Sequence, residues 1–389
     1  MPRRAWSSAI GGLSAVLVLS GSALAGGWTS PIILRATDPG VPLVAGDLAT
    51  QGSHVVAGWT EAAAGYVRWS VDGGDGFDAT HQLDARPTKG MAVDTCDGWA
   101  WAAATLRTTA SPPHQWHVAL NGWVLSGPSY ERSQITHGGV SRDVDLACVG
   151  DRRLALAYLQ KVSGHWRLKV FSRTASRTFG DDPPDQAFDL GVVASPGGLA
   201  IAATNDRVYV TWFAAGAQHL KRFDVAAGPH AMLSARPTQL LSDHGYQFTP
   251  KIAADGSRVV IAWTDHADLV ARVSTNGGTA WGPRRILEDM PFPSEVGSWP
   301  TNADIDGSRI IVGGGIVGGS TPQDFSGEGF VDRSLNDGAG WARVPGTRHA
   351  DGRALGAYVR IGGVPRVAVT WDQWVANPLV ERLRFGRQS

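Results

Sequence analysis

The sequence predicts an all-β fold built from one repeated four-stranded unit, and three observations carry that expectation. Short apolar runs rich in Val, Ile and Trp are separated by Gly/Asp turns along almost the whole chain. The runs return at a steady interval. A distinctive turn, Ser-x-Asp/Asn-x-Gly-x-x-aromatic, occurs three times. Together these features make the number of repeats the first question to ask of the chain.

The repeat begins with a short apolar strand A. A tight turn with a basic residue leads to a second apolar strand, B, which usually ends in an aromatic. The B strands start at Val55, Trp99, Leu154, Val208, Val259, Ile310 and Val367. A spacing of roughly 50 residues suits the four-stranded blade of a β-propeller. Seven copies predict seven antiparallel blades. The second and fourth units lack a clear Ser-x-Asp turn, so six or eight stay open. After strand B a loop leads to strand C, as in Tyr66-Val-Arg-Trp69 or Val270-Ala-Arg-Val273. A polar strand D follows.

The last unit runs out after a third strand, Val380 to Phe385. Its fourth is expected from the start of the chain. Gly27-Trp28-Thr-Ser-Pro31-Ile-Ile-Leu34 resembles Ala280-Trp281-Gly-Pro283-Arg-Arg-Ile-Leu287, the strand D region of the fifth unit. An N-terminal strand closing the ring would remove exposed sheet edges and tie down both termini.

The three turns are Ser70-Val-Asp72-Gly-Gly74-Asp-Gly-Phe77, Ser274-Thr-Asn276-Gly-Gly278-Thr-Ala-Trp281 and Ser334-Leu-Asn336-Asp-Gly338-Ala-Gly-Trp341. Asp or Asn is expected to fold back onto backbone N–H groups, and the glycine to take positive φ. Phe77, Trp281 and Trp341 are expected to anchor the turns between sheets. A calcium loop is disfavoured, because two copies carry Asn and none has the full acidic spacing. These turns resemble the Asp-boxes of neuraminidases and other secreted propellers. That resemblance implies a place between strands C and D, on the rim away from the ligand face.

Sialidases carry Phe/Tyr-Arg-Ile-Pro in an early strand. That arginine and two others clamp the sugar carboxylate, beside an aspartate acid/base and a glutamate-activated tyrosine. The nearest string here is Ile33-Leu34-Arg35-Ala36, which lacks both the aromatic and the Ile-Pro. The resemblance therefore implies the architecture more than the reaction. The expected role is a non-catalytic glycan- or protein-binding module. A sialidase-like glycoside hydrolase is the first alternative and an extracytoplasmic scaffold the second.

Ligand-binding candidates follow from the register, at the ends of B strands and the approaches to A strands. They are Glu61, Arg142, Tyr246, Asp265, His266, Trp299, Asp372 and Trp374. Asp47 and Asp143 lie on the same approaches. Polar and aromatic residues in mixture suit a sugar, whose pyranose faces stack on rings. Asp265-His266 opposite Asp372-Gln-Trp374 is the richest group. No catalytic pair is assigned.

The rest bounds the setting. Acidic and basic residues balance at 35 each, so neither nucleic acid nor an acidic membrane is expected as partner. Arg3-Arg4, an apolar run and Ala23-Leu-Ala25 predict a signal peptide over 1–25, cleaved after Ala25. A single exported propeller domain over 26–389, monomeric and without a later membrane span, would remain. Eleven histidines show no zinc spacing, and no metal or cofactor is expected. Cys96 and Cys148 sit in the A strands of neighbouring units, and export favours a disulfide between them. Gly313 to Gly319 falls within a strand repeat and lacks the Lys-Ser/Thr of a phosphate loop. Ser320 to Gly329 reads as a long B–C loop over the channel.

Overall fold

A computed structural model describes residues 32–36, 43–96, 98–109, 114–136, 139–150, 153–174, 185–226, 233–242, 250–289, 297–318, 326–345, 347, 354–361, 363–375 and 380–387. The signal-peptide region and Tyr246 lie outside them. No helix occurs among the described residues.

The strands pair antiparallel in groups of four. The first group is Leu43–Gln51, His54–Glu61, Ala64–Ser70 and His81–Gln82, in that order. The pattern repeats down the chain, and a single parallel bridge, Val140 to Trp116, joins the second and third groups. The last group is completed from the other end of the chain: Ile32–Ala36 pairs with Val380–Arg387. Leu34 of this N-terminal strand is buried at the seam.

The innermost strands are Leu43–Gln51, Thr88–Cys96, Val140–Val149, Gly198–Ala203, Lys251–Asp255, Gly297–Asp306 and Ala354–Ile361. Each packs against the next, and the last packs against the first. The B strands beside them are almost wholly buried because both faces meet neighbouring sheets. Val55, Trp101, Leu154, Tyr209, Val259, Ile310 and Val367 show this. Alternation within a strand therefore gives way to continuous apolar runs, the pattern visible in the sequence.

The three Ser-x-Asp/Asn turns share one geometry. Ser70 Oγ accepts the Gly74 N–H at 2.8 Å, and Asp72 Oδ1 accepts the Gly76 N–H at 3.0 Å. Ser274 and Asn276 do the same for Gly278 and Ala280, and Ser334 and Asn336 for Gly338 and Gly340. Asp and Asn are interchangeable because only the Oδ1 acceptor is used. Gly74, Gly278 and Gly338 have φ of 88°, 72° and 78°. Each turn lies between strands C and D, beside an A–B turn. Gly73, Gly277 and Asp337 donate to the carbonyls of Ser53, Ser257 and Ser308.

Two expectations need correction. The B–C connections at Glu61, Val162, Ala214 and Asp265 are two-residue turns rather than loops, since Glu61 pairs Ala64 and Asp265 pairs Asp268. Seven of their eight central residues take positive φ, all but Ala267, as suits hairpins twisted in this sense. Ala62, Ala63 and His266 do so at 48°, 66° and 60°. The segment read as a long loop over 320–329 is partly strand, because Ser326 already pairs Gly318.

Candidate functional site

The channel. Inside the ring the A strands line a cavity of about 660 Å³. Six aspartates line it. Asp206 and Asp255 stand at its A–B turn end, and four carboxylates, from Asp47, Asp94, Asp145 and Asp304, sit within the A strands, with the Lys251 ammonium near Asp47 and Asp145. Each of these four has the same job. One oxygen accepts the N–H of the following residue, and the other reaches an N–H of the next inner strand. Asp47 thus holds Val93 at 2.9 Å, Asp94 holds Cys148 at 2.7 Å, Asp145 holds Ile201 at 2.9 Å and Asp304 holds Tyr358 at 2.6 Å. Asn302 adds a buried amide clamp, donating to Gly356 O and accepting from Gly356 N.

The aspartates are half-buried toward the channel but enclosed by protein on their other sides. Burial pushes Asp94, Asp145 and Asp304 up to about 7, against the backbone N–H bonds that favour the charged form. A folded-state value raised above the ordinary 3.8 means that the folded chain holds these protons more tightly than the unfolded chain does. Their contribution to stability is full below about pH 4 and is lost as pH rises through about 7. Unfolding in urea is therefore expected to show a higher free energy at pH 5 than at pH 8. Asp145→Asn should flatten that slope, and an unchanged slope would contradict the assignment.

The B–C face. Glu61 ends its strand in a fork with Arg35, Nε to Oε2 and Nη2 to Oε1, both at 2.7 Å. Arg142 pairs with Asp143 at 3.1 Å, donates to the Pro196 carbonyl and lies 4.6 Å over the Trp166 ring. Asp265 is buried. It accepts from Arg284 Nε at 2.7 Å and lies 2.9 Å from Nδ1 of His266, whose side chain is 69% exposed. Asp268 completes the group, 3.8 Å from Arg284.

Three of the guanidinium groups on this face, from Arg35, Arg142 and Arg284, are thus engaged by the chain's own carboxylates. The arrangement offers a solvent-facing imidazole held by a buried carboxylate, and a cation-capped tryptophan. Among the described residues no cluster of His, Cys, Asp or Glu is arranged to hold a metal ion.

Of the sequence candidates, the structure brings Asp265 and His266 into contact. It places Glu61 and Arg142 at other turns and approaches of the face. The strands carrying Trp299, Asp372 and Trp374 are described, but not the placement of those side chains. Asp47 sits in mid-strand facing the channel rather than at a rim. The cavity runs from Lys251 toward the A–B turns at Gln51, Gly150, Asn205 and Gly256, the end opposite to the one the register favoured. Sequence reasoning passed over Asp94, Asp145, Asp304, Lys251, Arg284 and Trp166. The first three carried a signal: a lone carboxylate inside an apolar strand needs partners.

No protein-family model matches the chain, and no curated protein matches it. Solved structures do. The phage phi92 endosialidase aligns at TM-score 0.53 and 10% identity, over 94% of this chain and 69% of its own. The parainfluenza virus 5 hemagglutinin-neuraminidase ectodomain aligns at 0.50 and 9%, over 93% and 84%. A Trypanosoma rangeli sialidase aligns at 0.43 and 10%, over 80% of this chain and 56% of its own. The fold is a sialidase-like β-propeller. At such identities the likeness concerns the fold alone. The four-stranded groups are the blades of this propeller, and the aspartate ring is its channel lining.

Proposed function

We propose that this propeller is an exported, non-catalytic glycan-binding module that uses the B–C face. We read it as seven-bladed, one domain over 26–389 after a cleaved leader over 1–25, with the Ser-x-Asp/Asn turns as Asp-boxes. One observation carries the reading. Arg35, Arg142 and Arg284 are already satisfied by Glu61, Asp143 and Asp265, so these guanidiniums would have to leave buried or partly buried partners to clamp a sugar carboxylate. What the face offers instead is the His266 imidazole and the Arg142–Trp166 platform, groups suited to hydroxyls and to ring faces.

The second reading, glycoside hydrolysis, is favoured by the Asp265–His266 pair, because an exposed base oriented by a buried carboxylate is a general acid/base arrangement. A glycan array together with a panel of chromogenic glycosides separates the two. The expected result is binding without turnover, weakened at least tenfold by Trp166→Ala or His266→Ala. Turnover that disappears in Asp265→Asn would replace this reading by the second.

A further inference from the structure

The Ser-x-Asp/Asn turns also act as plugs. Gly74 lies against Phe385 of the preceding blade, Gly278 against Tyr209, and Gly338 against Val273. Phe385 and Val273 each follow an arginine in strand C, and Trp69 holds the same place after Arg68. The next blade, the second, has no such turn to lay over Trp69. Its strand Trp116–Val124 returns through a short turn, with the Val124 N–H donating to Ser129 O at 3.0 Å, into Tyr130–Gln134.

A notch of about 570 Å³ lies between the two blades at this point. Its wall is a run of rings. Trp69 stacks on His81 at 4.3 Å and 12°, Trp123 lies 6.0 Å from Trp69, and Tyr130 lies 5.4 Å from Trp123. The two tryptophans are buried, and Tyr130 is 49% exposed. The Tyr130 hydroxyl donates to Asn121 Oδ1 at 2.7 Å, which holds the ring in place. Exposed Asp78, Ser126 and Ser129 stand at the mouth. His81 Nε2 has no partner among the described residues, so the packing here is not closed by its own hydrogen bonds.

We propose that this notch is a second carbohydrate site, separate from the channel, that takes a neutral pyranose unit. An apolar sugar face stacks on Tyr130, fixed from behind by Trp123 and Trp69. Ring hydroxyls donate to the Asp78 carboxylate and exchange bonds with the serine hydroxyls. The volume falls in the range of small-molecule sites, roughly 300–1,000 Å³. The carboxylate at the mouth selects against acidic sugars by like-charge repulsion, so the site differs in preference from one built to hold sialic acid.

The test is calorimetric titration of the full exported chain with maltohexaose, cellohexaose, xylohexaose and mannohexaose, with 3′-sialyllactose as the anionic comparator. At least one neutral oligomer is expected to bind. Tyr130→Ala should weaken it tenfold or more, and Ser126→Trp, which fills the notch, should abolish it. Both positions are exposed, so the fold should survive. His266→Ala should leave this binding unchanged. Absence of binding by all four neutral oligomers at millimolar concentration would overturn the proposal. So would affinity unaffected by Tyr130→Ala and Ser126→Trp. Loss in His266→Ala alone would assign the sugar to the B–C face, overturning this site while leaving the proposed function intact.

Discussion

Gly74→Ala is expected to lower the unfolding free energy by about 2–5 kcal/mol, from left-handed backbone strain and overpacking together. Gly74 has φ of 88°, and a Cβ there would run into the Phe385 ring, which is itself fully buried. The collision lies at the seam where the N- and C-terminal ends of the chain close the ring. Neither neighbour can move cheaply. Phe385 is packed edge-on against Phe77 at 5.0 Å, and Gly74 N is tied to Ser70 Oγ. Gly52→Ala is the control. Gly52 also has positive φ, 61°, but open space surrounds it, so only the strain of about 1–2 kcal/mol remains. Urea unfolding of both variants separates the two costs. Equal midpoints for Gly74→Ala and Gly52→Ala would show that the turn does not pack between blades as described.

Cys148→Ser is expected to cost about 4 kcal/mol, the chain entropy released by opening a loop of this length. The structure joins Cys96 and Cys148, with Cα atoms 5.4 Å apart and a sequence separation of 52. Cys96 is fully buried within the cluster formed by Trp101, Leu120, Leu146 and Leu154. The bond therefore links two inner strands where Asp94 already accepts the Cys148 N–H. Loss of the bond should lower the urea midpoint and steepen the slope, since the unfolded chain freed of the cross-link exposes more surface. Wild-type protein with reductant should behave like the variant. If the alkylation count is the same with and without reductant, the two thiols are free in solution and the expected loss disappears.

The fold was legible because its signals are local. Apolar runs, turn glycines and the Ser-x-Asp/Asn motif all lie within a few residues of the groups they organise. Ser70, Asp72 and Gly74 form their hydrogen bonds inside one turn, so three copies suffice to mark strands C and D. Even the closing strand was readable, since Trp28, Pro31 and Ile33-Leu34 echo Trp281, Pro283 and Ile286-Leu287.

The candidate site was only partly legible. Asp265 and His266 are adjacent in sequence, and their contact could be anticipated. The Arg284 that neutralises Asp265 comes from the residue just before the strand Arg285–Glu288, and the Arg35 that neutralises Glu61 comes from the closing strand. Nothing in the local sequence announces those pairings. The channel carboxylates are a sharper case. Each reads as a blemish in an apolar strand, and its purpose appears only when the N–H it accepts is found in the next blade.

The sequence by itself determined the repeat, the all-β unit, the turn chemistry and the order of strands within each unit. These follow from short-range hydrogen bonding and from apolar periodicity, which any one unit contains whole. Only the tertiary structure decided how one unit meets the next. It turned four isolated aspartates into a channel lining and three glycines into plugs, and it left an aromatic notch where the second blade has none. Those features depend on groups that lie about one repeat apart in the chain or, for Gly74 and Phe385, toward its opposite ends, brought together by closing the ring.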